Sequence, residues 1–346
     1  MNIPLVALVA GLCACFCQPV SAQARVLTVD NKPGAVAMFS NLEAAYSSAN
    51  DGDTIVLAGS PTEYNVTNPL VLKRINYVGP GYLLEENAIP GVVKASAKLS
   101  GIQITGTSTS SSSGSTFLGL EINSLVASHS YNMAATSAAV DRCKIRTVSA
   151  EGCQLIINRS LVGGATYDEF SAGSSIRNSI VGVGSLSISN VSIGCGNVTI
   201  SNCVLGYLSA SQPSVSVSNS MIVTMGYGSK SAFNSAFKGS ITNSLAVGFS
   251  TSTADRQSFL PDGGGNLNGY ISKDVFLTTG SEDAKWQLKE GSPAIGAGYS
   301  GANAGAFGGG YVLSGIPGRP RITRLVVPAT ATDGTGFRFE VDAIAF

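Results

Sequence analysis

The chain has 346 residues, enough for one large domain or two smaller ones, and 44% of them are hydrophobic. Only 12% are charged, about half the usual share, and 21 Lys and Arg residues balance 21 Asp and Glu residues. This balance argues against a nucleic-acid-binding protein, which needs clustered positive charge, and no basic amphipathic stretch indicates a membrane surface.

Residues 1–24 have the pattern of a signal peptide. The apolar run from Ile3 to Cys17 has the length of a signal-peptide core and is short for a bilayer span. Small residues near Ala22 and Ala24 permit cleavage. In an alternative interpretation, Leu12-Cys13-Ala14-Cys15 is a lipoprotein signal with Cys15 as the lipid anchor. Both interpretations predict a secreted or cell-surface protein without a transmembrane segment.

Four cysteines follow this segment: Cys143, Cys153, Cys195 and Cys203. Export permits disulfides, and four thiols allow three pairings between which the sequence does not choose. Cys143 and Cys203 replace a Ser that recurs along the chain. That replacement favours small buried side chains over a metal or redox site.

Residues 25–53 are predicted to form a strand and a helix. Val26 to Val29 alternate as in a strand, and the apolar residues from Phe39 to Tyr46 have helical spacing. Ser40 or Asn41 is suited to cap the helix, and Gly52 is suited to the turn that ends it.

The sequence after the helix is Gly52-Asp53-Thr54-Ile55-Val56-Leu57, and Ile75-Asn76-Tyr77-Val78-Gly79 follows it. With the helix, it resembles the opening of right-handed parallel β-helix proteins of the pectate-lyase-like superfamily. In that family an amphipathic helix covers the first coil. A cover is also expected on physical grounds, because the end of a strand stack exposes apolar interior and unpaired backbone. The resemblance implies an all-β fold: a single-stranded right-handed parallel β-helix with an N-terminal capping helix.

A repeated phrase indicates the same fold independently. It comprises an apolar residue, a spacer, Asn, Ser or Cys and further apolar residues, as in Ile200-Ser201-Asn202-Cys203-Val204. Counting a weaker copy at Arg142, successive copies are 16 to 24 residues apart with a mean of 20, typical of solenoids. We therefore expect residues 54–310 to form roughly a dozen coils. Asn tolerates a left-handed turn, so the repeated Asn residues are predicted to form a structural ladder at the coil corners: Asn123, Asn158, Asn178, Asn202, Asn219 and Asn243.

The C-terminal region contains a second recognisable phrase. Ser292-Pro293-Ala294-Ile295, with Gly298 three residues on, resembles the last coil of many secreted bacterial β-helix proteins. Residues 311–346 are expected to leave the helix and end in a short β-hairpin appendage. Its predicted strands are Ile322 to Val327 and Phe337 to Phe346.

The resemblance also implies a chemistry to look for. Pectate lyases of the superfamily bind calcium through carboxylates and use Arg or Lys as base, whereas related hydrolases use paired Asp residues. The corresponding candidates are the adjacent pair Asp168 and Glu169, with Asp141 and Arg177 on neighbouring coils. We assign no catalytic residue, because such side chains also occur on solvated faces as local pairs. Three similarly placed arginines are expected to form a short basic ladder: Arg142, Arg159 and Arg177.

Few other residues suit catalysis. His129 is the single histidine, which argues against a Ser-His-Asp triad or a multi-histidine metal site. Four tyrosines are suited either to stack on sugar rings or to cap the hydrophobic core: Tyr64, Tyr77, Tyr167 and Tyr227. The sequence thus favours a structural or adhesive protein, with polysaccharide as the candidate partner, weak glycan binding and no cofactor. The alternative is a lyase or glycoside hydrolase acting on an acidic polysaccharide, with calcium required if it is a lyase.

Overall fold

The computed structural model describes residues 24–65, 73–88, 94–105, 113–128, 136–167, 173–183, 190–194, 197–210, 214–224, 237, 239–248, 260–261, 263–317, 321–326 and 340–344. In these residues strands predominate and helices are few and short. None of the helices found there is both long and apolar enough to cross a membrane.

In chain order the strands are β1 (Val26–Val29), β2 (Thr54–Leu57), β3 (Asn76–Val78), β4 (Lys98–Leu99), β5 (Ile102–Ile104), β6 (Ser115–Leu118), β7 (Glu121–Ser128), β8 (Thr136–Asp141), β9 (Lys144–Glu151), β10 (Cys153–Asn158), β11 (Leu161–Val162), β12 (Ala165–Tyr167), β13 (Ser175–Arg177), β14 (Ile180–Val181), β15 (Asn190–Ile193), β16 (Thr199–Ser201), β17 (Val204–Leu205), β18 (Tyr207–Ala210), β19 (Ser216–Ser218), β20 (Met221–Thr224), β21 (Ser240–Thr242), β22 (Leu245–Gly248), β23 (Leu267–Ile271), β24 (Arg321–Val326) and β25 (Glu340–Ile344). The α-helices are α1 (Leu42–Ser48) and α2 (Ser272–Val275). Short 3-10 turns follow at Ala284–Trp286, Tyr299–Gly301, Ala306–Gly308 and Leu313–Gly315.

Two large parallel sheets carry the fold. Over the described residues, sheet 1 has ten strands in the order β1-β2-β3-β6-β8-β10-β13-β16-β19-β21. Sheet 2 has thirteen, among them β9, whose first residues pair with β11 and whose last residues pair with β12. From β8 to β22 the chain passes repeatedly between the two sheets, and each strand lies parallel to its counterpart in the next repeat. Such stacking is compatible with a solenoid.

Sheet 1 connects to sheet 2 through a left-handed corner residue. Four of the repeated asparagines adopt this conformation with φ of 49–51°: Asn178, Asn202, Asn219 and Asn243. In two earlier coils an arginine takes the corner, Arg142 with φ of 52° and Arg159 with φ of 46°. Asn adopts the left-handed conformation at a small energetic cost, whereas the arginines must be held in it by the surrounding hydrogen bonds.

The structure corrects two members of the predicted Asn ladder. Asn158 is the last residue of β10, paired with Asp141 and Arg177, so the corner falls one position later at Arg159. Asn123 lies within β7 on an exposed face. The reliable marker of the corner is the small buried residue that follows it, because Ser160 comes directly after Arg159.

That small residue takes part in a ladder of hydrogen bonds between successive coils. The Ser160 hydroxyl donates to the Asn158 carbonyl at 2.7 Å, and the Ser160 N–H donates to the Ser179 hydroxyl at 3.1 Å. Ser220, three coils further on, repeats both contacts: its hydroxyl donates to the Ser218 carbonyl and its N–H donates to the Ser244 hydroxyl. The Ser244 hydroxyl donates to the Thr242 carbonyl, whereas the Ser244 N–H donates to the Asn266 side-chain oxygen. Cys143 and Cys203 occupy the same position and are fully buried. A buried polar side chain is tolerated here because each one satisfies backbone groups of two coils.

The main core lies between the sheets and consists of the inward-facing Ile, Val and Leu residues. The helix α1 adds Leu42 and Ala45 to this core near β1, the first strand of sheet 1. Asn41, not Ser40, caps the helix, accepting the Ala44 N–H at 2.8 Å. The Lys73 ammonium group donates to three carbonyls at the other end of α1, at 2.8–3.0 Å.

A second core lies on the outer face of sheet 2. Residues 272–317, which we call the C-terminal layer, add no strand to either sheet and pack Phe276, Trp286 and Ala306 against that face. The phrase at Ser292 therefore follows the last parallel strand, β23, and lies outside the coils instead of within the last one. The outward-facing residues beneath the layer are apolar: Leu161, Ile180, Val204, Met221 and Leu245.

The last part of the layer, residues 298–317, runs back along the corners, and we call it the strap. Its contacts move in order from Asn219 to Asn178 and then to Arg142. Gly309 crosses the corner so closely that a Cβ atom there would lie 1.9 Å from the Asn178 side-chain oxygen. A Cβ atom on Gly315 would lie 2.5 Å from the Arg142 carbonyl oxygen. The strap therefore needs glycine at these crossings.

Beyond the strap, β24 and β25 pair antiparallel, with Leu325 opposite Val341. The turn that was predicted to join them lies outside the described residues.

Candidate functional site

One row of outward-facing side chains, paired from strand to strand across sheet 2, changes from charged to apolar along the stack. We call this row a column. Its members pair in register as Lys98, Glu121, Lys144, Leu161 and Ile180. The apolar members lie under the C-terminal layer, whereas the three charged members line an open groove. The groove thus begins where the layer ends, on the coils nearest the N-terminus.

The groove has a floor and two walls. Its floor includes Lys98, Glu121 and Lys144. On one side lie Glu63, Asn123 and Arg146, enclosing about 380 Å³. On the other side the loops carrying Glu85, Glu86 and Lys94 enclose about 450 Å³. The two spaces share Lys98, Glu121 and Lys144, so they form one continuous groove of mixed charge.

Hydrogen bonds and ion pairs orient the charged side chains of the floor. Lys98 and Glu121 approach to 3.9 Å, and Glu121 also accepts the Leu83 N–H at 3.3 Å. Lys144 pairs with Glu282 of the C-terminal layer at 2.7 Å. The Arg146 Nε donates to the Asn123 side-chain oxygen at 2.6 Å. These contacts hold positive, negative and positive groups in a row across three strands.

A buried polar cluster fixes one wall of the groove to the C-terminal layer. We call it the clasp: Tyr82, Asn87, Asp283, Tyr311 and Ser314. The Asp283 carboxylate accepts from Asn87 at 2.9 Å, from the Ser314 N–H at 2.9 Å and from Tyr311 at 3.3 Å. Burial raises the pKa of Tyr82 and of Tyr311 well above the ordinary value, so both keep their protons. Asn87 is half-buried and the other four residues are buried, so the clasp serves to position the neighbouring loop, residues 83–86.

The structure places Asp141 at a corner, away from this groove. Its carboxylate forms a two-point pair with Arg159, at 2.6 and 2.8 Å, and accepts from Asn158 at 3.1 Å. The neighbouring Arg142 donates to the Ile316 carbonyl of the strap. Burial, with the charge of Arg159 as a smaller cause, lowers the pKa of Arg142. This group ties the strap to the coils.

The other predicted site residues are dispersed or lie outside the described residues. Arg177 ends β13 in sheet 1, in the same column as Asp141 but two strands away. A further acidic residue of the coils, Glu151, ends β9 in sheet 2 and accepts from the Ser149 hydroxyl at 3.1 Å. Asp168, Glu169 and His129 lie outside the described residues. Arg142 and Arg159 occupy successive corners, whereas Arg177 precedes one, so the expected basic ladder has two members in register.

Three of the four tyrosines considered for sugar stacking are buried. Tyr64, Tyr77 and Tyr167 are each at most 2% exposed. Tyr77 instead stacks on Phe117 inside the core, with ring centroids 5.1 Å apart. Tyr227 lies outside the described residues.

In the described part of the chain no disulfide links the cysteines, and all three are buried: Cys143, Cys153 and Cys203. Burial raises the pKa of Cys143 and Cys203 to about 12. Cys195 lies outside the described residues.

Calcium, which a lyase would need, requires a group of oxygen ligands. Within the described ranges, no three His, Cys, Asp or Glu side chains are grouped to hold a metal ion. The carboxylates of Glu63 and Glu121 face Lys98, Lys144 and Arg146, which disfavour a cation. The groove therefore does not fit calcium.

Comparison with known proteins adds no assignment. No protein-family model matches this chain, and no curated protein matches its sequence.

Proposed function

We propose that this chain is a secreted or cell-surface, right-handed parallel β-helix protein that binds a glycan without catalysing a reaction. The observation that carries the proposal is the open groove over Lys98, Glu121 and Lys144. An open groove with charges at fixed spacing along its floor suits a hydrated chain better than a small apolar ligand.

The fold part of the proposal is supported by the parallel pairing and the alternation between two sheets. Crossovers between parallel strands of one sheet are right-handed in nearly all proteins, which favours a right-handed coil. The apolar start of the sequence supports export.

The binding part is supported by the groove's position and orientation. The column of charged residues runs along the stack, with one residue on each strand and about 4.8 Å between strands. An extended sugar chain lying along this column would meet one charged side chain per strand. The matching column under the C-terminal layer is apolar and covered, so only the charged segment is available to a ligand.

The test is a binding measurement on the exported, full-length chain with a panel of acidic and neutral polysaccharides. We expect at least one acidic polymer to bind, and we expect Lys98→Gln combined with Arg146→Gln to weaken that binding. Lys289→Gln, in the C-terminal layer, is the matched control. Absence of binding to every polymer would overturn the proposal.

The same incubations distinguish the alternative function, a polysaccharide lyase or glycoside hydrolase. Unsaturated or reducing products, formed with or without calcium, would establish an enzyme and contradict the non-catalytic proposal. We expect none from the groove, because its carboxylates are interspersed with Lys and Arg and, among the residues that the structure describes, no group of carboxylates accompanies them to bind calcium.

A further inference from the structure

The order of charges in the groove carries a more specific inference. Lys98, Glu121 and Lys144 are direct neighbours in register on three adjacent strands. Adjacent parallel strands are about 4.8 Å apart, so the groove presents positive, negative and positive charge at that interval. This spacing is comparable to the length of one sugar unit in an extended chain.

The central negative charge is held in place. Glu121 is 19% exposed, and the Leu83 N–H donates to one of its oxygens at 3.3 Å. Leu83 belongs to the loop that the clasp anchors, through the Ser314 hydroxyl bound to the Leu83 carbonyl at 3.2 Å. Glu121 therefore stays directed into the groove between the two lysines.

A uniform polyanion would fit this arrangement poorly. With one sugar per strand, such a polymer would place one carboxylate at each of the three positions. The carboxylates at Lys98 and Lys144 would be attracted, whereas the carboxylate at Glu121 would be repelled by its like charge. A ligand with a cationic group at the middle position avoids that repulsion and gains a contact.

We propose that the groove selects a glycan in which acidic sugars alternate with amino sugars that carry a free, protonated amine. The carboxylates contact Lys98 and Lys144, although Lys144 also pairs with Glu282 of the C-terminal layer at 2.7 Å, and the ammonium group of the amino sugar contacts Glu121. This inference rests on the glycan-binding function proposed above and specifies its ligand.

The test compares three polymers of equal length on the full chain: an alternating uronate and amino-sugar polymer with free amines, the same polymer after N-acetylation, and a homopolymeric uronan. We expect the free-amine polymer to bind about fivefold more tightly than its N-acetylated form, as for one partly exposed charge contact. The preference should fall as salt is raised.

The variant Glu121→Gln should abolish the preference while leaving affinity for the N-acetylated polymer within about twofold. Glutamine retains an acceptor for the Leu83 N–H, so the loop is preserved; unchanged thermal unfolding checks this. Glu151→Gln, at the far end of β9, should keep the preference. Equal binding of both polymers by the native chain, or a preference that survives Glu121→Gln, would overturn this inference and leave glycan binding intact. Failure of all three polymers to bind would overturn both.

Discussion

The hydroxyl oxygens of Tyr82 and Tyr311 lie 2.5 Å apart, although 229 positions separate the two residues in the chain. Tyr311 also reaches Asp283, so one buried contact joins an early loop to the strap through a carboxylate. The loop carries part of the groove wall. The shape of the groove therefore depends on residues near the C-terminal end of the described chain.

Asp283→Ala should destabilise the protein by about 3 kcal/mol, because it leaves several buried donors without an acceptor. The affected donors include Asn87 and the Ser314 N–H. Chemical denaturation of the variant and the native chain measures the difference. Glu290→Ala, at an exposed position of the same layer, should change stability by less than about 0.5 kcal/mol. Equal effects of the two substitutions would contradict a structural role for the clasp.

Gly309→Ala should displace the strap. The added Cβ atom would lie 1.9 Å from the Asn178 side-chain oxygen and 2.6 Å from the Asn202 Cβ. Gly309 has φ of −102°, so the cost is steric and not conformational, and we expect about 2 kcal/mol. Limited proteolysis should cut the strap sooner in the variant. Gly101→Ala, whose Cβ would find its nearest neighbour at 3.5 Å, is the control and should resist as the native chain does.

Ser179→Ala should cost about 1–2 kcal/mol, since the buried Ser160 N–H loses its acceptor. Ser179→Cys should cost less than half as much. Cysteine already fills the equivalent corner at Cys143 and Cys203, where its sulfur is a weak acceptor. Thermal or denaturant unfolding ranks the three proteins. If Cys proves as damaging as Ala, the hydroxyl ladder contributes in another way.

Asp53 should make stability depend on pH in the acid range. Burial alone would raise its pKa, but hydrogen bonds from Asn50 and Arg25 and the charge of Arg25 outweigh burial, so the pKa lies below its ordinary value of 3.8. A carboxyl group with a lowered folded pKa stabilises the protein fully above its unfolded pKa. That contribution is lost as pH falls through the folded value. Unfolding free energies between about pH 5 and pH 2 should show a slope that Asp53→Asn reduces. An identical slope in both proteins would refute this assignment.

Cys143 and Cys203 should resist thiol reagents in the folded protein. Burial raises the pKa of each to about 12, so the reactive thiolate is scarce at neutral pH and inaccessible as well. Mass spectrometry after maleimide treatment should find both residues unlabelled in the native state and labelled in denaturant. Native labelling of either residue at the denatured rate would contradict the buried corner position.

Much of the repeat organisation could be predicted from the sequence, because its causes are local. A left-handed corner favours Asn, and a small residue must follow it, so both recur at regular intervals. The position of Asn158 was misjudged because Asn is also tolerated at a strand end, where it pairs with Asp141. The residue that decides the corner there is Ser160.

The second core had a sequence signal that alternation alone does not reveal. After each corner Ser, two consecutive apolar residues appear, as in Leu161-Val162 and Ile180-Val181, whereas Lys144-Ile145 keeps one polar member. Two adjacent apolar residues in a strand indicate that both faces are buried. The groove had a signal as well, since Lys98, Glu121 and Lys144 are spaced 23 residues apart. The clasp had none, because no local pattern relates Tyr82 to Asp283.

The strap has a consequence for how the molecule unfolds. A stack of repeats in which each coil contacts only its neighbours frays from its ends, much like a one-dimensional chain of weakly coupled units. The strap bonds the coil of Asn219 and the coil of Arg142 to one continuous segment, which the clasp then fastens near Tyr82. The unfolding of coils that are not in contact with one another is thereby coupled. We expect the middle and the early coils to melt together in a single cooperative transition.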